Sequence, residues 1–495
     1  MIPGTAQDAA RSAAEALRAI EMHMLTAERS GAIGDGPNAP SARNLTHYLA
    51  LREADARPLQ DRLRGLGLSS LGRAEACALA TVRAAATAAE ALAGAPSEHP
   101  HETPLPVSID EADALRDARA DGTLGPCPPG RGTRIMVTLP TSAAHDTDLP
   151  RQLLAAGMDI ARINAAHDEP DDWDRMITNV RRAEGDLNQP HTRIHLDLAG
   201  PNPRTGPMPG GKARLRVHTG DRITLAADAA STRTKGRLRL ACTLPEVFAH
   251  AEPGQRLYFD DGRIVCAIEA ASPDALELRV LDAGPEGTKL GAGKGINLPD
   301  TDLALPSLMP ADLEALDYVA RTDAIDTVGL SFVRSAGDIR ACASRLPEHV
   351  ALVAKIETRA GFESLPEILL ALLERPAGAV MIARGDLAVE VGVERLAEAQ
   401  EEILWLCEAA HVPVIWATQV LERLAKNGRA SRAEVTDAAM AGRAECVMLN
   451  KGPHITRAVR TLDDILRRMQ DHQSKKRAML RPLGLARRFA MRSGV

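Results

Sequence analysis

From Arg134 onward, short apolar runs recur along the chain, separated by stretches whose apolar residues repeat with helical spacing. Eight such runs stand out, at 135–139, 160–163, 194–196, 327–332, 351–356, 379–383, 412–417 and 446–449. They are rich in Ile, Val, Leu and Ala and lack polar alternation, the pattern of a parallel strand covered on both faces. Helical patterns such as 312–321, 365–373 and 393–410 fill most of the gaps, and eight β–α alternations predict a (β/α)₈ TIM barrel. Between about 206 and 290 the rhythm changes to alternating strands bounded by turns, at 212–218, 221–226, 237–241, 256–259, 263–269 and 276–281. This predicts a small β-barrel domain inserted after the third barrel strand and placed to act as a lid over the rim.

Ahead of the barrel the pattern is Ala-rich and amphipathic, with helices predicted at 8–29, 44–64 and 70–92. A breaker lies at 31–40, and Ser69-Ser70 is a candidate cap for the third helix. The predicted organisation is an all-α N-terminal accessory or oligomerisation domain at 1–97 and a Pro- and Gly-bearing linker at 98–132. The barrel follows at 133–206 and 293–470, the inserted domain at 207–292, and a basic tail at 471–495.

Composition narrows the possibilities. Of the residues 45% are hydrophobic but only 2% aromatic, so aliphatic side chains must fill the core. The formal charge of −6 and a pI near 6.2 give no reason to expect nucleic acid or a membrane as partner. The seven cysteines, at 77, 127, 242, 266, 342, 407 and 446, have no CxxC spacing, which speaks against a zinc cluster or disulfide framework. A cytoplasmic protein is the expectation.

The chemistry concentrates where the apolar runs end. Arg162, Asn164, Asp197, Ser331, Lys355, Glu357, Asp386, Thr418, Gln419, Asn450 and Lys451 all fall at C-terminal strand ends, the rim on which such barrels build their sites. Lys355 and Glu357 are two apart and share a face of an extended strand. Two readings are open: a structural ion pair with Asp386 as a helix N-cap, or a divalent metal held by carboxylates beside an anionic substrate. Gly287 to Gly295 (GTKLGAGKG) suggests a phosphate loop, but Thr288 stands where the first glycine belongs and Gly295 where Ser or Thr is needed. We read it as a flexible hinge.

These motifs, in order, resemble the pyruvate kinase family. The resemblance begins with Met136 to Thr141 and Gly157-Met158-Asp159-Ile160-Ala161-Arg162-Ile163-Asn164. It runs through Leu196-Asp197, Gly200-Pro201, Arg204-Thr205-Gly206, Asp260-Asp261-Gly262, Lys294-Gly295-Ile296-Asn297-Leu298-Pro299 and Leu330-Ser331-Phe332-Val333-Arg334. Ala354-Lys355-Ile356-Glu357, Ala383-Arg384-Gly385-Asp386-Leu387, Ala417-Thr418-Gln419, Arg432-Ala433-Glu434-Val435 and Cys446-Val447-Met448-Leu449 complete it. It implies phosphoryl transfer from phosphoenolpyruvate to ADP, giving pyruvate and ATP, and a homo-oligomer. It further implies that Glu357 and Asp386 hold Mg²⁺ or Mn²⁺, and that Lys355 and Arg162 meet the phosphoryl group. Gly385 and Asp386 would bind substrate, Thr418 would sit near the carbon that is protonated, and Asn164, His167, Arg204 and Lys294 would serve the nucleotide.

The chain departs from the family pattern at several points. Ala166 replaces a usual Ser, Ala199 a Lys and Asn202 a Glu, while Asn450-Lys451-Gly452-Pro453 replaces Ser-Gly-Glu-Thr. A monovalent-cation site built on Asn164, Asp197 and the Leu198 carbonyl is therefore expected to be degenerate, with K⁺ not required. No counterpart of the family's C-terminal regulatory domain is expected after Met469.

Overall fold

The computed structural model describes residues 4–30, 36–94, 103–211, 213–227, 232–234, 237–301, 305–470, 472–475 and 477–478. Eight parallel strands close into a barrel: β1 (Arg134–Thr138), β2 (Ile160–Asn164), β3 (Arg193–Asp197), β4 (Thr327–Leu330), β5 (Ala351–Ile356), β6 (Gly378–Ala383), β7 (Val414–Ala417) and β8 (Cys446–Leu449). Each pairs with its neighbours in sequence, and β8 returns to β1 through Arg134 opposite Cys446. Met136, Ile160, Val353, Ala379, Met381, Ile415, Cys446 and Met448 fill the barrel interior. Outward-facing residues join the surrounding helices in a second, larger core. The (β/α)₈ class follows from this double burial, which gathers most polar side chains at the strand ends.

The N-terminal layer contains α1 (Gly4–Ser30), α2 (Ala39–Arg52), α3 (Arg57–Gly65) and α4 (Ala78–Leu92). The single helix predicted at 44–64 is divided between α2 and α3. α4 starts later than predicted, and Ser69-Ser70 does not cap it. Its N-cap position is Cys77, which makes no side-chain capping bond. The Ala78 N–H donates instead to Asn44 Oδ1 at 2.8 Å. The stretch 98–132, read from sequence as a linker, contains α5 (Ile109–Leu124), opened by a reciprocal Ser108–Glu111 capping box. Its last residue, Leu124, belongs to the barrel-interior cluster, and Thr123 Oγ1 donates to the Gly378 carbonyl at the start of β6.

The helical layer is fastened to the barrel as well as packed on it. Asn44 Nδ2 donates to the Glu75 and Ala409 carbonyls at 2.7 and 2.8 Å. His411 shares one ring nitrogen with the Ala76 carbonyl and the other with Ser41 Oγ. The Arg52 guanidinium lies 4.8 Å from the Trp405 ring centroid. Apolar residues of α1 to α4 run without a break into the barrel's outer core.

The insertion after β3 is a seven-stranded mixed sheet with a two-stranded ribbon, Arg214–Val217 against Thr288–Gly291, around a separate core. Half of the stretch predicted to be a flexible hinge is therefore a paired strand. At Gly287 a Cβ would stand 2.6 Å from the Val217 carbonyl, so only glycine fits there. Among the described residues no helix is long and apolar enough to cross a membrane. Most of the basic tail predicted at 471–495 lies outside the described residues; Lys475 within it forms an ion pair with buried Glu445.

Candidate functional site

Every barrel strand ends in polar residues at one rim, and β2 to β5 bring theirs into one network. Asp197, at the end of β3, is 1% exposed and receives three donors. Arg162 from β2 binds it through Nε and Nη2, while Arg162 Nη1 donates to Thr138 Oγ1 at 2.8 Å. Lys355 from β5 lies 3.2 Å from Asp197 Oδ2 and 3.6 Å from Glu357 Oε1, and donates to Ser331 Oγ at 2.6 Å. Ser331 in turn donates to the Leu198 carbonyl. A buried ammonium survives only with such neighbours. Burial pulls its pKa down, but Asp197 and Glu357 outweigh that and leave it above its ordinary value. Likewise burial alone would raise Asp197, yet Arg162 and Lys355 hold it well below the usual carboxylate range.

Glu357 is held differently. Its Oε1 accepts the Phe332 N–H at 2.6 Å, but burial, together with the nearby charge of Asp386, pushes it up to about 7 against the pull of Lys355. Asp386 lies in the first turn of the helix Arg384–Val391, whose N-cap residue is Ala383, so the N-cap reading of Asp386 is corrected. Its Oδ1 accepts at 3.1 Å from Asn297, whose strand Ile296–Asn297 pairs with Phe259 and Tyr258, so the inserted sheet runs past the boundary predicted at 292. Two like-charged carboxylates, one buried and destabilised by the other, are a hard-oxygen donor pair that a divalent cation relieves, and these residues fit such an ion. Among the described residues no group of three or more His, Cys, Asp or Glu side chains forms a full cage. Water and substrate oxygens would have to complete the coordination.

The ends of β6 and β7 form one unit. Arg384 is buried, stacks 4.9 Å from the Trp416 ring centroid, pairs with Asp437 and donates to the Ala417 and Thr418 carbonyls. Thr418 Oγ1 accepts the Gly385 N–H at 2.9 Å. Thr418 and Gln419 have φ of 62° and 60°, a conformation that costs non-glycine residues energy and persists only where surroundings impose it.

The residues expected at the nucleotide end form a second group. Asn164 Oδ1 accepts the Ala166 N–H at 3.1 Å. Arg204 Nη1 donates to the Gly293 carbonyl, and Lys294 pairs with Asp260 at 2.7 Å. His167 lies on the loop after β2. Local desolvation and the charges of Lys451, Arg204 and Arg162 lower its pKa, against Asp168. Thus Arg162, Asp197, Lys355 and Glu357 form a chain of contacts in that order, and the charge of Asp386 acts on its last member. Arg204 and Lys294 are instead tied to the root of the inserted domain.

Sequence reasoning missed His195, fully buried on β3 with Nδ1 2.8 Å from Thr327 Oγ1 and Nε2 3.6 Å from Asp197 Oδ1. The signal was present: a histidine between Ile194 and Leu196 in an otherwise apolar strand. Gly329 makes the room, since a Cβ there would stand 2.3 Å from Asp197 Oδ1. Asn297 was quoted in a motif without a role, and Asp437 was not singled out.

Fold and site together define a (β/α)₈-barrel protein with a β domain inserted after the third strand and a rim organised around a buried lysine and paired carboxylates. Residues 130–453 match the family model described as pyruvate kinase, barrel domain. The chain belongs to the pyruvate kinase family. It is 32% identical over 332 residues to "Pyruvate kinase PKLR" of Rattus norvegicus and of Homo sapiens, covering 65% of this chain and 56% of each relative. With the pyruvate kinase of Mycobacterium tuberculosis it shares 32% identity over 353 residues, 70% of this chain and 71% of that one. The match thus spans little more than half the length of the mammalian relatives.

Proposed function

We propose that this protein transfers the phosphoryl group of phosphoenolpyruvate to ADP. The observation that carries the reading is Lys355, a buried and charged ammonium held by Asp197, Glu357 and Ser331 beside the Glu357–Asp386 carboxylate pair. Phosphoryl transfer asks little covalent chemistry of a protein; it asks for positioning and for positive charge where oxygens carry negative charge in flight. Lys355 and Arg162 supply that charge, and Asp197 fixes both in place. Glu357 and Asp386 would hold Mg²⁺ or Mn²⁺, whose charge would offset the negative charge of the substrate's oxygens. The Gly385 and Asp386 amides, opening a helix, receive the substrate carboxylate. Thr418 orients the methylene carbon for protonation. Asn164, His167, Arg204 and Lys294 face the nucleotide, and the inserted domain excludes water when the substrates are in place.

The same reading has K⁺ dispensable. Ala166 contributes no side-chain oxygen, Asn164 Oδ1 and the Leu198 carbonyl already accept hydrogen bonds, and Asp197 Oδ2 is shared by Arg162 and Lys355. We further propose a cytoplasmic homo-oligomer with no nucleic-acid or membrane partner. The altered Asn450–Pro453 turn supports a second reading, in which the same metal-enolate site serves another acceptor or a lyase or decarboxylase reaction; a non-catalytic regulatory homologue is a third, against which the intact Lys355, Glu357, Asp386, Arg162 and Thr418 count. Incubation with phosphoenolpyruvate, Mg²⁺ and a panel of acceptors, followed by phosphorus NMR in tetramethylammonium buffer with and without K⁺, separates these. ATP formation without K⁺ is expected. Transfer to an acceptor other than ADP, or none at all, sinks the main reading.

A further inference from the structure

We propose that Lys451 is a cationic contact for the polyphosphate of the nucleoside diphosphate and determines this site's affinity for its acceptor. The inference rests on the phosphotransferase reading above. Lys451 follows β8 at the C-terminal rim, in the barrel position where loops after the last strands commonly meet phosphate. Its loop is firmly seated. The His454 N–H donates to the Ala425 carbonyl at 2.9 Å, and the Ile455 N–H to the Gly452 carbonyl at 3.1 Å. A Cβ on Gly452 would stand 2.4 Å from the Ala425 carbonyl, so glycine lets the turn lie against that backbone. Lys451 is thus a long cation on a fixed base, half-buried, and among the described residues no carboxylate within ion-pairing distance neutralises it.

Its direction follows from the charges it shares space with. β8 pairs with β1 and β1 with β2, so the loop after β8 and the loop after β2 are near neighbours on the rim. On that second loop His167 feels Lys451, Arg204 and Arg162. Lys355, across the rim, feels Asp197, Glu357 and Arg162. Arg162 is common to both sets and stands between them. Permanent cations therefore form a track, with Lys355 at one end, Arg162 in the middle, and Arg204 and Lys451 at the other, beside a His167 ring whose pKa they lower. The Lys355 end is fully compensated by Asp197 and Glu357. At the far end the Arg204 side chain is met by the Gly293 carbonyl and, among the described residues, neither it nor Lys451 has a carboxylate within ion-pairing distance; Asp168, the acidic group that acts on His167 there, accepts from Thr141 Oγ1. An elongated anion with several phosphates fits such a track, whereas a compact monophosphate at Lys355 does not reach its end.

Binding of ADP, AMP and phosphoenolpyruvate to the full chain, measured by calorimetry in Mg²⁺ buffer, tests this with Lys451→Gln and Lys451→Arg. Losing one charge-assisted phosphate contact should weaken ADP about tenfold or more, with Arg restoring most of the loss and phosphoenolpyruvate changing by less than about twofold. Unchanged ADP affinity in Lys451→Gln, or an equal loss for phosphoenolpyruvate, overturns the inference. If the unaltered protein makes ATP while Lys451→Gln binds ADP normally, only the role of Lys451 falls. If the unaltered protein binds no ADP, the function reading falls with it.

Discussion

Asn44 joins the helical layer to the barrel, and replacing it with alanine gives a quantitative test of how strongly the two are coupled. The side chain is fully buried and makes three hydrogen bonds. Two of them satisfy helix ends. The Ala409 carbonyl closes the helix Leu396–Ala409, and the Ala78 N–H opens α4; both are groups an α-helix leaves unpaired. A lost cap costs about 1 kcal/mol, and a buried polar group stripped of its partner about 1–3 kcal/mol. Three such groups, with little room for water, give about 3–5 kcal/mol for Asn44→Ala, a large share of the roughly 5–15 kcal/mol that stabilises a domain. Urea unfolding followed by circular dichroism measures the total. Fluorescence of a form that keeps Trp405 alone, with Trp173 and Trp416 replaced by Phe, reports the joint itself, because Trp405 lies on the barrel helix against Arg52 of α2. Both signals should move together to lower urea, while Arg29→Ala on the exposed end of α1 should shift neither. A loss below about 1 kcal/mol, or a helical layer that melts in its own transition with the barrel unaffected, would refute the claim that Asn44 couples them.

Other expectations concern the rim and the pH response. Lys355→Met should reduce phosphoryl transfer by about a thousandfold or more while phosphoenolpyruvate still binds, since its charge matters most in the transition state; equal losses in binding and turnover would make it a ground-state anchor. Asp386→Asn should weaken Mg²⁺ binding, read by calorimetry, along with turnover, and full activity at ordinary Mg²⁺ would remove Asp386 from the metal site. Burial holds His411 neutral, with its pKa lowered from 6.5 to about 4. A group whose folded pKa is depressed takes up protons preferentially in the unfolded chain. Stability should therefore be full above pH 6.5 and fall by about 3 kcal/mol between pH 6.5 and 4. His411→Gln should flatten that slope in urea unfolding across the window, and an unchanged slope would show that other groups carry it.

The barrel was legible because a strand covered on both faces has few alternatives to a continuous apolar run, and rim residues announced themselves by ending those runs. Arg162, Asp197, Lys355 and Glu357 form a chain of contacts at those strand ends; their places could be read from sequence alone, their pairing could not. Features resting on distant partners were not legible. The start of α4 is set by Asn44, 34 residues away, so the nearby Ser69-Ser70 misled. α5 was hidden by the Pro- and Gly-rich sequence on either side, although the Ser108–Glu111 capping box was present to be read. The ribbon strand Thr288–Gly291 lies in a glycine-rich stretch, and only its pairing with Arg214–Val217 makes it a strand. Asn297 could not be assigned its contact with Asp386, because nothing in local sequence shows how the inserted domain settles on the rim.

The clamp around Arg384 also bears on how such a site can change through descent. Thr418 keeps its unfavourable backbone because Arg384, anchored by Asp437 and laid on Trp416, grips the Ala417 and Thr418 carbonyls. Gly385 and Thr418 are joined to each other as well. The turn that opens the helix after β6 and the loop that follows β7 are consequently one inherited unit. A substitution at Asp437, which reaches Thr418 only through Arg384, would release Thr418 from its geometry. Variation at Trp416, Arg384, Asp437 and Thr418 should therefore arrive in lineages as matched sets, because an isolated change at one of the four loosens the other three.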